Sequence, residues 1–142
     1  MNDTGSTRAD GIRLVDSVEL VAPRGHYSHV AIHGDTAYIS GQLALDRDGN
    51  PLTDADFGLQ ARTALENLDR CLAAAGTHRD HLLTVTVYIG DIAWWPEFDE
   101  VYANWIGPHR PARAVAPVSM LHYGLAVEVQ AIAAILDTDP GP

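Results

Sequence analysis

A single cysteine, Cys71, in 142 residues leaves this chain without an internal disulfide. A disulfide-stapled scaffold is excluded, and a reducing compartment is expected. Apolar runs stay well short of the roughly 20 residues that a membrane-spanning helix needs. The opening Met1-Asn-Asp-Thr-Gly-Ser has neither the basic start nor the apolar stretch of a secretory signal. A cytoplasmic protein with no membrane partner is the resulting expectation. Basic side chains are scarce as well, nine against nineteen acidic, for a net charge of -10. No basic run offsets that balance, so nucleic acid is not expected as a partner, because its affinity comes largely from phosphate neutralisation. Low-complexity segments and internal repeats are also missing.

What remains reads as one domain, long enough to bury roughly two thirds of its unfolded surface. Residues 1–12 and 137–142 carry small, polar, Gly and Pro residues and are expected to be tails, with a single domain over 13–136. Residues 14–21 suggest a first short strand. Residues 29–32 and 37–45 flank His33-Gly34-Asp35 and predict a hairpin. A helix should follow from Asp54 and Asp56 to Gly76, because Ala61, Leu65, Leu68, Leu72 and Ala75 recur at helical spacing. Residues 83–89 alternate as a strand, with Leu83, Val85, Val87 and Ile89 on one face. Residues 96–106 form a second amphipathic pattern around Phe98, Val101, Tyr102 and Trp105. Strands over 114–121 and 125–136 then close the chain around His122-Tyr123-Gly124, as an antiparallel pair. The order is β-β-β-α-β-α-β-β, an α+β arrangement with two helices on one face of a mixed sheet. The last strand is apolar on both faces apart from Glu128 and Gln130, so the uncovered sheet face predicts self-association and a site between subunits.

Arg113 is the main candidate for chemistry. It starts a strand, after Arg110-Pro-Ala, with Glu128 in the expected facing strand. A guanidinium fork grips a carboxylate through two parallel hydrogen bonds, so a small anion is the expected ligand. The alternative is an ion pair at the surface or an interface, with Glu128 itself as one candidate partner. Glu128 then serves only to neutralise the arginine. His26, His29 and His33 do not share a face in strand and turn, so no metal site is assigned to them. His78 and His81 read as loop residues and His122 as a turn residue. Cys71 sits by the apolar helix stripe as a buried thiol, and the three tryptophans pack around the second helix.

Several separated segments carry a resemblance: Tyr27-Ser28, Ile39-Ser-Gly-Gln42, Gln60-Ala-Arg-Thr-Ala-Leu-Glu-Asn-Leu68, Thr84-Val-Thr-Val-Tyr88, Pro111-Ala-Arg113 and Val127-Glu-Val-Gln-Ala-Ile-Ala133. In order, from about residue 23 to 136, they resemble the reactive intermediate deaminase (RidA, or YjgF/YER057c/UK114) family. The resemblance implies a chorismate-mutase-like fold and a homotrimer with sheets inside and helices outside. It further implies intersubunit active sites that hydrolyse 2-imino or enamine acids to 2-keto acids and ammonia, without metal or organic cofactor. By position, Arg113 matches the carboxylate-binding arginine and Glu128 the glutamate near the hydrolytic water. Tyr27 and Ser40 match pocket positions, and Gly41 matches a glycine that lets backbone approach the ligand. His26 replaces a common proline, Asp99 an asparagine and Val115 a frequent cysteine at the pocket, and Leu121-His122-Tyr123-Gly124 replaces a leucine-proline turn. Tyr27 read alone is equally a core or interface aromatic, and Ser40 and Gly41 equally a strand bend.

An imino acid suits these residue types. Arg113 fixes the carboxylate, Glu128 orders a water at the C=N carbon and takes its proton, and Tyr27 hydrogen-bonds the developing polar centre. Alternatives are a specialised pathway deaminase or hydrolase on a related carboxylate, or a non-catalytic carboxylate binder. An endoribonuclease is disfavoured by the acidic charge.

Overall fold

The structure, a computed structural model, describes residues 6–136, so the expected tails fall partly (1–12) and wholly (137–142) outside the described residues. Eight main elements follow in chain order: β1 (Ile12–Val15), β2 (Val30–His33), β3 (Thr36–Leu43), α1 (Phe57–Ala74), β4 (Leu82–Ile89), α2 (Trp95–Ile106), β5 (Ala112–Pro117) and β6 (Val127–Ala134). The expected order of strands and helices is the observed one. The six strands form one mixed sheet in the order β1-β2-β3-β6-β4-β5.

Helix α1 begins where its sequence says it should. The Asp56 carboxylate caps it by accepting from the Leu59 amide at 2.8 Å. Gly76, with φ of +81°, follows its C-terminus in the left-handed conformation that glycine adopts without strain. Ala61, Leu65, Leu68 and Leu72 are fully buried against the sheet, and Phe98, Tyr102 and Ile106 bring α2 into the same core. Cys71 is buried in this layer as expected, and desolvation pushes its thiol up to about 12. On β6, Val127, Val129, Ala131 and Ala133 point into the core while Glu128, Gln130, Ile132 and Ala134 point to the uncovered face.

Three expectations need correction. The first strand is Ile12–Val15, shorter and earlier than 14–21, because the chain turns at residues 18–20 before Pro23. Strands β5 and β6 are not a hairpin: β5 runs parallel to β4, while β6 lies antiparallel between β3 and β4. A parallel partner requires a crossover, and α2 supplies it. Leu83 does not share the core face of Val85. The β4–β6 register shifts between Leu82 and Thr84, so Leu82 is 2% exposed and Leu83 51% exposed.

Chemical denaturation checks the shifted register. Leu82→Ala is expected to cost about 2–5 kcal/mol and Leu83→Ala under about 1 kcal/mol; the reverse order would place the bulge elsewhere.

Candidate active site

The sequence-predicted residues fall into two groups on opposite faces of the sheet. Tyr27, Ser40, Gly41 and Glu128 line a cavity of about 500 Å³, together with Arg24, His122 and Tyr123. Arg113, Asp99 and Val115 do not line this cavity. Strand register accounts for the division. Arg113 pairs with Val85, whose side chain is in the core, whereas Glu128 pairs with Tyr88 on the other face.

In the cavity, β3 carries one extra residue between Ile39 and Gln42 where it pairs with β6. This bulge contains Ser40 and Gly41, so the strand bend read from the sequence is present. The Ser40 amide donates to the His29 carbonyl at 2.9 Å, and its hydroxyl donates to the Ser28 carbonyl at 2.6 Å. Ser40 therefore ties the cavity wall to the segment before β2. Gly41 faces Glu128 so closely that a Cβ there would overlap the carboxyl group. A side chain at 41 would push that carboxyl out of its present position, so glycine here leaves it room and serves no unusual φ. Burial raises the Glu128 carboxyl above its ordinary pKa, opposed by the charge of His122. A half-buried acid that keeps its proton to higher pH, facing a cavity, is a group suited to moving protons. Tyr27 is 53% exposed here rather than a core aromatic of this chain.

On the helix side, Arg113 Nη1 lies 2.9 Å from Asp99 Oδ1, with side-chain exposures of 19% and 45%. The ion-pair alternative thus holds within one chain, with Asp99 on α2 as partner and not Glu128. The guanidinium also lies 4.8 Å from the Tyr102 ring centroid and 5.9 Å from that of Trp95. Val115 packs against the core on the same side of β5. The Tyr102 hydroxyl is buried with no hydrogen-bond partner among the described residues. Burial raises its pKa, Arg113 opposing and Asp99 adding to the effect.

Arg24 and Tyr123 were not singled out in the sequence as cavity residues. Arg24 lies between the first expected strand and Tyr27, and Tyr123 in the His122-Tyr123-Gly124 turn; the one signal for Arg24 is a cation three positions before Tyr27. His29 is committed to structure, its Nδ1 accepting from the Ser17 amide at 3.0 Å. Burial lowers its pKa, partly offset by Asp16. Among the described residues, no group of three or more His, Cys, Asp and Glu side chains is placed to hold a metal ion.

Comparison with known proteins places this geometry in a family. The Endoribonuclease L-PSP family profile matches residues 18–135. A RutC family protein of Pyrococcus horikoshii is 35% identical over 111 residues, 78% of this chain and 88% of that protein. The 2-iminobutanoate/2-iminopropanoate deaminase of Homo sapiens is 30% identical over 121 residues, 85% and 88% of the two chains. Among solved structures, the yeast protein YEO7 superposes with a TM-score of 0.85 at 27% identity, covering 88% of this chain and 99% of its own. E. coli TdcF with bound serine superposes with a TM-score of 0.80 at 27% identity, covering 87% and 98%. The matched profile spans most of the sheet and both helices, and with these likenesses it establishes that the chain belongs to the Endoribonuclease L-PSP family, the RidA (YjgF/YER057c/UK114) family.

Proposed function

We propose that this protein hydrolyses reactive 2-imino or enamine acids to 2-keto acids and ammonia. The observation that carries the reading is the Glu128 carboxyl, lodged against Gly41 in a cavity where a small substrate and a water can reach it, and raised by burial above its ordinary pKa. The deaminase name of relatives at about 30% identity supports the same chemistry, and the serine bound to TdcF is a small carboxylate.

Because Arg113 and Glu128 face opposite sides of one sheet, the reaction needs a second copy, whose Arg113 edge meets the Glu128 cavity. A homotrimer with its open sheet faces inside is the assembly proposed. Arg113 then holds the substrate carboxylate. Asp99 engages Nη1, but a guanidinium has five N–H donors, so this pair orients the fork without saturating it. Water adds to the C=N carbon as Glu128 accepts its proton and hands it to the imine nitrogen, with Tyr27 hydrogen-bonding the developing centre. The carbinolamine then collapses: Glu128 takes the hydroxyl proton as the C=O forms and returns it to the nitrogen as the C–N bond breaks, so that ammonia and the keto acid leave. Neither metal nor organic cofactor enters this scheme.

One observation favours a second reading, a non-catalytic carboxylate binder: a single chain does not bring arginine and glutamate together. An RNA-cleaving role, suggested by the family's description, runs against the net charge of -10.

Keto-acid release from imines made by an amino-acid oxidase decides between these. Arg113→Ala is expected to lower kcat/KM by about 100-fold or more, the usual scale for losing a charged ligand contact. Glu128→Gln should abolish hydrolysis while keto-acid binding, read by calorimetry, persists. No acceleration with any of several imines would leave only the binder.

Glu128 also makes a pH prediction. Its folded pKa lies above its unfolded value, so the folded state holds more protons between the two and stability falls as pH rises through that window. Glu128→Gln should therefore melt higher than wild type at neutral pH, with the gap closing below the ordinary carboxyl range. In kinetics, the acid limb of kcat/KM should lie above that range, and His122→Asn should move it further up, because His122 acts against the burial effect.

A further inference from the structure

We propose that Arg24 and Tyr123 form a second anion subsite in the Glu128 cavity, selecting a 2-imino acid whose side chain ends in a carboxylate. This rests on the imine-hydrolysis reading and names its substrate class. Arg113 of a second copy accounts for the carboxylate next to the reacting carbon. Arg24 is an additional cation on the same cavity wall, and a substrate with only one acidic group leaves it unanswered.

Among the described residues, Arg24 makes no ion pair with a carboxylate. Its contacts are with Tyr123: Nη1 lies 3.5 Å from the phenol oxygen, at the long limit of a hydrogen bond, and the guanidinium carbon sits 6.0 Å from the ring centroid. The guanidinium packs over Gly49, where φ is +86° and where any Cβ would meet Nη2. Asp46 also lines the cavity, but its carboxylate accepts from the amides of Asp48 and Asn50 at 3.0 and 2.8 Å. Those bonds hold its pKa down and commit it to its own turn.

Tyr123 adds a second, independent observation. With φ of 63° and ψ of 14°, it is the one non-glycine residue with positive φ among the described residues. A bulky side chain in that region is strained, and such strain gathers at ligand sites. Thr53 holds it there, its hydroxyl donating to the Tyr123 carbonyl at 2.8 Å. The result is a phenol beside an acid-free guanidinium, a pair of donors matched to a carboxylate. The cavity volume of about 500 Å³ is more than 2-iminopropanoate fills and leaves room for a longer diacid.

The test compares kcat/KM for imines released by oxidation of glutamate and of alanine. In wild type the glutamate-derived imine is the better substrate; in Arg24→Ala the ratio falls about tenfold or more, mainly through KM, and Arg24→Lys restores part of it. Calorimetry with 2-oxoglutarate and pyruvate gives the matching readout, with melting temperature as the folding control. Arg24-dependent preference for 2-oxoglutarate in a protein that hydrolyses no imine sinks the hydrolysis reading and keeps the subsite. An unchanged substrate ratio in Arg24→Ala, or a wild type that prefers pyruvate and the alanine-derived imine, overturns the subsite.

Discussion

Insertion of β6 between β3 and β4 is the constraint from which the rest follows. A strand hydrogen-bonded on both edges and covered by α1 on one face must be apolar on that face, and Val127, Val129, Ala131 and Ala133 meet the demand. Glu128 is then forced to the other face, next to the β3 bulge. The same insertion displaces β5 to the sheet edge, where its alternate residues turn Arg113 towards α2. Acid and guanidinium are thereby separated by the sheet itself, and no rotamer change in one chain can reunite them.

Much of this was legible because it depends on local physics. The α1 stripe and its Asp56 cap, the two-faced alternation of β6 and the bend at Ser40-Gly41 all follow from period, capping and glycine placement. Strand partnership did not, since adjacency in sequence favours a hairpin and only the whole sheet decides that β5 pairs with β4. The division of the candidate site is a consequence of that same register. Leu83 illustrates a smaller failure: period two cannot announce a bulge, and one extra residue turns a core leucine outwards. Asp99 as partner of Arg113 was hidden because helix and edge strand meet only in the fold.

Glu128 shows how a site of this kind opposes stability. Burial that raises the carboxyl above its ordinary pKa does so by disfavouring its charged form. Gly41 compounds this by giving up a side chain at the bulge to admit the acid. Ser40 compensates in part, tying β3 to the chain before β2 through two hydrogen bonds.

The buried thiol of Cys71 has a consequence outside the sheet. Oxidases that generate imines also generate hydrogen peroxide, and peroxide attacks thiolate, not thiol. With its thiol on the buried face of α1 and pushed up to about 12, Cys71, the one cysteine of the chain, offers such an oxidant almost no thiolate.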